Sequence, residues 1–438
     1  MSAQAATAEV DETGMALAVD AAAPVRVFAD REFRGLTLAQ FTSECGDQVA
    51  AIAISLLVYG RSNSPFLAAA TYAVSYVPWV LGGVLLAPLT DRYPRRAAML
   101  VCDAGRAIVV GILALVSAIH GIPIAALIAL VLVSSFFSPP FSSARSALIP
   151  DIFDNGPPYV RAVAVGRILQ QTDQVFGFAL GGVVVAAVTP RGALALDACT
   201  FAVSFLLVIS HVKERPGAMS DGTSMNALGL LRRIVPDLGI VWSHPARRVL
   251  LMFTAASLIF MIAPDSLAVA YARQHGHGAV AAGLLAASQP FGIAVGAWLF
   301  IKFVPTREQG RYLLPLGAAG GLALALTCLV PPVPVACGLW MLSGMAQAFV
   351  VATIAAYNVV TDRSLRGRAN GLAAASIAVT QGLGFLIWGG VADFEGAAAG
   401  VAWAGITGLL IVTIARYFWP YDVIDGAWEK LAGAQERS

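Results

Sequence analysis

The sequence predicts an all-α membrane protein with twelve transmembrane helices in two six-helix bundles. Three observations lead there. Hydrophobic residues are 58% of the 438 residues and charged residues only 12%, with a mean hydropathy of +0.76. Soluble domains carry about 25% charged residues, so lipid must solvate much of this chain. Apolar runs near the ~20 residues that cross a bilayer recur along it. Arg and Lys crowd every second loop, as the positive-inside rule requires.

In order, the runs lie at roughly 34–59, 65–90, 97–119, 121–146, 160–188 and 191–211, then 247–272, 279–302, 311–330, 333–360, 369–392 and 396–418. Loops on one side hold Arg26, Arg31 and Arg34; Arg92, Arg95 and Arg96; Arg161 and Arg167; Lys213, Arg215, Arg232, Arg233, Arg247 and Arg248; Lys302, Arg307 and Arg311; Arg363, Arg366 and Arg368; and Lys430 and Arg437. The other side holds only Arg61, Arg191 and Arg273. This alternation needs an even number of spans with both termini cytosolic.

The expected organisation is a cytosolic tail (1–33), an N-terminal bundle (34–211), a cytosolic linker (212–246), a C-terminal bundle (247–418) and a cytosolic tail (419–438). The first tail is acidic, with Glu9, Asp11, Glu12 and Asp20, where a signal peptide would start basic. The linker stretch NALGLLRRIVPDLGIVW fits a helix lying on the membrane face.

A shift of 207 positions carries Arg161-Ala162 onto Arg368-Ala369, and Gln174, Gly177, Phe178 and Gly182 onto Gln381, Gly384, Phe385 and Gly389. Matched polar residues in matched places indicate a duplication. Parallel repeats imply a site between the bundles near mid-bilayer. With Gly181, these glycines are expected to let helix backbones approach closely.

Several classes are excluded. A net charge of +2, with no basic cluster interleaved with aromatics, gives no nucleic-acid partner. The five cysteines are scattered and odd in number, so neither disulfides nor a metal framework is expected. No lysine follows a glycine, which excludes a phosphate-cradling GK[ST] loop and direct use of ATP. His120, His211, His244, His275 and His277 are dispersed, and no loop is long enough to hide a catalytic domain. No enzyme, cofactor or metal is expected. The scarcity of Lys beside abundant Arg, Ala and Gly fits a GC-rich bacterial genome.

The informative residues are charges inside apolar runs. Each costs about 2.5–3.5 kcal/mol at mid-bilayer unless it meets water, a partner or a proton. Glu44 and Asp47 share one face of the first span with Gln40, Gln48 and Ser55. Two close carboxyls in a poor dielectric do not both ionise easily, which makes Asp47, helped by Glu44, the candidate proton site. A static salt bridge from Asp47 to a neighbouring arginine is the alternative. Asp103 and Arg106 are three apart on the third span, and form either a self-neutralising pair or a switch. On the fifth span Arg167, Gln170, Gln171 and Gln174 make a polar stripe, with Asp173 nearby. These residues, with Gln381 and Asp265, are the candidate walls of a substrate cavity. Asp265 follows Pro264 and either touches substrate or caps a helix break.

Five strings carry a family resemblance. Ala87-Pro88-Leu89-Thr90-Asp91-Arg92-Tyr93-Pro94-Arg95-Arg96 resembles the major facilitator signature G-x-L-x-D-R-x-G-R-R; Asp91, Arg92, Arg95 and Arg96 match, while Ala87 and Pro94 replace its glycines. Asp103-Ala104-Gly105-Arg106, Ala144-Arg145-Ser146-Ala147-Leu148-Ile149-Pro150-Asp151 and Asp362-Arg363-Ser364-Leu365-Arg366-Gly367-Arg368 resemble strings of the drug and siderophore exporter branch, which includes macrolide efflux pumps and the enterobactin exporter. Gly177-Phe178-Ala179-Leu180-Gly181-Gly182 is similar to the antiporter string G-P-x-x-G-G, with Phe178 in place of proline. The resemblance spans about 34–418.

It implies the major facilitator fold. It also implies a monomeric, proton-coupled secondary exporter of a hydrophobic or amphipathic small molecule in a bacterial cytoplasmic (inner) membrane. Asp91, Arg92, Arg95 and Arg96 would then form a cytosolic latch between the bundles. Partners would be a small-molecule substrate, protons and the bilayer. A siderophore or lysophospholipid is the alternative cargo, and a non-transporting sensor the alternative class. Replacing Asp91 with Asn is expected to slow turnover without changing substrate choice; a shifted substrate profile at unchanged rate would contradict the latch.

Overall fold

A computed structural model of the chain describes residues 27–85, 93–119, 121–153, 157–215, 239, 241–305, 308–362, 365–421, 426 and 428. The described residues are helices and short connections, as lipid demands: a spanning segment must satisfy its own backbone. Among the described residues, ten helical stretches are long and apolar enough to cross a membrane. One of them, Pro157–His211, turns back at Thr189 (φ 69°, ψ 161°), just before Pro190, and so supplies spans 5 and 6. A shorter apolar stretch, Pro65–Ser75 followed by Val77–Leu85, completes twelve passes as span 2.

Span 1 is Arg31–Ser62, capped by Asp30, whose side chain accepts from Phe33 N at 2.8 Å. Span 3 is Arg95–Val116. Span 4 is Ile124–Ser135 continued by Ser138–Phe153, which carries Pro150 inside. Span 7 breaks between Pro245–Met261 and Ala263–Gln274, where Pro264 cannot donate to the preceding turn. Gln289 caps the break by donating to the Met261 carbonyl at 2.5 Å. Spans 8 to 12 run Ala279–Phe303, Gln309–Ala325 with a 3-10 turn to Leu329, Val333–Ala346 with Phe349–Val359, Arg366–Glu395 and Ala397–Phe418.

An even number of described passes puts the start of span 1 and the end of span 12 on one face, here called the termini face. The bundles meet mainly toward the opposite, far face, and the meetings follow the internal repeat. Spans 5 and 8 cross at Gly182 and Gly283: a Cβ on Gly182 would lie 2.6 Å from the Ala279 carbonyl and 2.9 Å from Gly283 Cα. Spans 11 and 2 cross at Gly389, where a Cβ would lie 2.7 Å from Ala69 Cβ. Gly182 and Gly389 are repeat mates. So are Gly177, packed on Gln48 of span 1, and Gly384, packed on Ile262 of span 7. The equivalent glycines do equivalent work because only a missing side chain lets helix backbones touch.

A polar clasp closes the far face. Asp393, ending span 11, accepts from Ser64 Oγ and from Phe66 N at the start of span 2, each at 2.9 Å. Toward the termini face the bundles part. A Cβ on Gly371 of span 11 would meet nothing within 4 Å, and one on Gly166 of span 5 only Arg145 of its own bundle. Arg167 and Gln170 are exposed, although they lie about 15–20 Å into span 5 at 1.5 Å per residue. A cleft between the bundles therefore opens toward the termini face.

Gly182→Val forces spans 5 and 8 apart. Overpacking of this kind costs about 1–3 kcal/mol, so thermal unfolding of the purified protein should begin several degrees lower. Gly371→Ala, set in open space, should leave it unchanged or slightly raised.

Candidate functional site

Arg106 is the centre of the charged site. Its guanidinium Nη2 donates to Asp47 Oδ2 of span 1 at 2.6 Å and to Ser138 Oγ of span 4 at 3.0 Å. The Phe201 ring of span 6 covers it, 4.3 Å from the centroid. Spans 1, 3, 4 and 6 thus converge on one cation. Its position, one turn from Asp103 on span 3, left a self-neutralising pair open. The structure corrects that reading. Asp103 is fully buried and accepts from Ser204 Oγ of span 6 at 2.7 Å, and its other oxygen has no donor among the described residues. The short Asp side chain stays against span 6, whereas the long Arg side chain reaches across to span 1.

A third carboxyl joins them. Asp197 of span 6 is buried; Thr200 Oγ1 approaches its Oδ1 at 3.2 Å, and its Oδ2 has no partner among the described residues. It comes up against span 1 because residue 46 is glycine, where a Cβ would collide with Asp197 and Thr200. Asp197 interacts electrostatically with both Asp47 and Arg106. Three carboxyls therefore share one guanidinium, an excess of acid groups in a poor dielectric.

Asp47 is the accessible member. It lies midway along span 1, yet 34% of its side chain is accessible against 7% for Arg106. At mid-span its carboxyl is the least enclosed of the three acids around Arg106.

One turn toward the termini face lies a second cluster. Glu44 accepts from Gln40 Nε2 at 2.9 Å, and Asp173 of span 5 lies beside Glu44 and Arg145 of span 4. Asp173 was expected to line the cavity; instead it is only 1% exposed and its carboxyl is turned against that of Glu44. The reason is helical phase: Asp173 falls off the Arg167–Gln170–Gln174 stripe and turns into its own bundle. Arg145 also interacts with Arg167 at the exposed start of the stripe. Gln171 crosses the cleft and donates to the Pro290 carbonyl of span 8 at 3.0 Å. Gln174 and Gln381 are half-buried.

Asp91 and Arg92 of the latch lie outside the described residues, as does most of the linker. Arg95 pairs with Asp151 and donates to the Ala147 carbonyl at 2.7 Å, while Arg96 donates to the Ile209 carbonyl at 2.6 Å. Both tie spans 3, 4 and 6 together within one bundle. No group of three or more His, Cys, Asp or Glu suited to a metal occurs among the described residues.

Asp197 and Arg145 were missed as site residues. Asp197 had the same signal as Asp103, an acid in an apolar run. Arg145 was visible only within a motif. Ser138, Ser204 and Phe201 carry no sequence signal, since their role is set by the neighbouring helix.

The sequence profile described as Major Facilitator Superfamily matches residues 36–309. The multidrug efflux pump Tap of Mycolicibacterium fortuitum is 23% identical over 373 residues, covering 82% of this chain and 89% of that protein. An uncharacterized MFS-type transporter of Bacillus subtilis, YkuC, is 25% identical over 187 residues, 42% of each chain. Among solved structures, the nucleoside transporter NupG superposes with a TM-score of 0.65 at 14% identity, covering 89% of this chain and 99% of that one. A bacterial homologue of the iron transporter ferroportin, in an inward-facing state, superposes with a TM-score of 0.66 at 15% identity, covering 93% and 99%.

Removing the guanidinium in Arg106→Gln leaves the acids uncompensated, a loss of about 3–5 kcal/mol for a broken buried pair. Adding Asp47→Asn should recover part of it. Thermal unfolding of the two single variants and the double variant measures the coupling; strict additivity would deny the pair.

Proposed function

The chain belongs to the Major Facilitator Superfamily, and from that premise we propose that it exports hydrophobic or amphipathic small molecules in exchange for protons, by alternating access. It is a transporter and not an enzyme. The efflux reading draws on the similarity to Tap, itself a multidrug efflux pump. The setting proposed is a bacterial cytoplasmic membrane with the termini in the cytosol, so that the cleft described above is open inward, and the working unit is a monomer.

One observation carries the coupling: Asp47 is both the ion-pair partner of Arg106 and the least enclosed of the three acids around it. A proton arriving there cancels the charge that holds Arg106. The guanidinium then turns to Asp103 and Asp197, which already sit in its field. Span 1 loses its tie to span 3 while spans 3 and 6 gain one, and the N-terminal bundle repacks. Glu44, Asp173 and Arg145 form a polar track from the termini face to this point. One proton moving down 100 mV supplies about 2.3 kcal/mol, roughly a fifty-fold concentration ratio.

The exposed Arg167 and Gln170, with Gln174 and Gln381, give the cleft hydrogen-bonding groups beside apolar walls, which suits an amphipathic cargo. The multidrug profile of the cargo follows from such adaptable lining.

In proteoliposomes with an imposed pH gradient, Asp47→Asn is expected to lose uphill transport while keeping substrate binding and exchange. Uphill transport at the wild-type rate would refute the assignment of Asp47.

A further inference from the structure

An acid outside the Arg106 cluster lies between span 7 and spans 2 and 11 without a cation. Asp265 sits just past the break of span 7, about 13 Å from the far end of that helix at 1.5 Å per residue. Its Oδ1 is buried with no hydrogen-bond donor, and no Arg, Lys or His among the described residues pairs with it. The break itself is capped by Gln289, so Asp265 is not needed there.

Its neighbours are aromatic. Ser266 donates to the Phe385 carbonyl of span 11 at 3.2 Å, which fixes Asp265 beside that residue. The Phe385 ring stacks on Tyr72 of span 2, 5.2 Å between centroids at 1°, and tilts against Tyr76 at 5.7 Å. Asp265 interacts electrostatically with both tyrosines. Tyr72 and Tyr76 are half-buried, and neither hydroxyl is hydrogen-bonded to a described residue. Gln381, one turn before Phe385 on the same helix face, is half-buried. These groups lie beneath the Asp393 clasp, at the closed end of the cleft.

A carboxyl held from water without a partner is costly, and aromatic faces attract cations. We propose that Asp265, Tyr72, Tyr76 and Phe385 form a binding subsite for the cationic head of a lipophilic amine or onium compound. The acid supplies the countercharge, the tyrosines their faces and hydroxyls, and the opening toward the termini face admits the apolar remainder. The subsite rests on the transport reading and narrows its cargo to cations. It lies apart from the Arg106 cluster, so cargo charge and coupling proton are handled by different acids.

Tetraphenylphosphonium tests the subsite, because its charge does not titrate, with triphenylphosphine oxide as the uncharged control. Equilibrium binding to the purified full chain is the readout. Asp265→Asn should weaken tetraphenylphosphonium about tenfold or more and leave the oxide unchanged. Asp265→Glu, which keeps the charge, should restore most of the affinity and guards against a folding defect. Tyr76→Leu should weaken the cation more than Tyr76→Phe does. Equal tetraphenylphosphonium affinity in wild type and Asp265→Asn overturns the subsite, as does wild-type binding of the oxide alone. Either result leaves the exporter reading to the pH-gradient flux assay, which fails or succeeds independently of Asp265.

Discussion

A guanidinium cannot sit in a membrane interior alone, and the N-terminal bundle is built around that fact. Arg106 is held by Asp47, Ser138 and the Phe201 ring, which belong to three different spans. Gly46 gives up its side chain so that Asp197 reaches the same point. Asp103 stands by on Ser204. One hydrogen-bonded ion pair with two further acids in its field has more than one acceptable arrangement. Each acid is a place where the guanidinium can be neutralised, and changing partner changes which helices are tied.

The C-terminal bundle solves a different problem. Its far end is pressed against the first bundle through Gly182 on Gly283 and Gly389 on Ala69, and clasped by Asp393 at the start of span 2. Beside these backbone approaches and the polar clasp, Phe385 stacks on Tyr72 and Gln171 donates to the Pro290 carbonyl across the same boundary. These contacts can part without unravelling either bundle, because each helix satisfies its own backbone. The repeat relation between Gly182 and Gly389 gives the two crossings a similar construction.

The polar residues of spans 5 and 11 show how far helical phase carries. Arg167, Gln170 and Gln174 fall on one stripe by spacing, and the first two are exposed. Asp173, between them in sequence, turns the other way to meet Glu44 and Arg145. Phase alone separates these fates, but knowing which face looks into the cleft requires the neighbouring helices. Asp265 makes the same point. The preceding proline announces a break, yet it is Gln289, on the next span, that caps it, and not the acid.

The sequence by itself determined the apolar spans, the alternation of basic loops, the spacing match between the two halves and the identity of most buried charges. Those are properties of hydropathy and spacing along one strand of chain, and each is local or nearly so. Only the tertiary structure decided that Arg106 holds Asp47 and not Asp103, that Asp197 and Arg145 complete the two charged clusters, and that Asp265 lies among Tyr72, Tyr76 and Phe385. Partner choice between helices depends on their rotation and lateral order. Those are set by how glycines and small residues let whole helices approach, information that is spread over several spans and not encoded within any one of them.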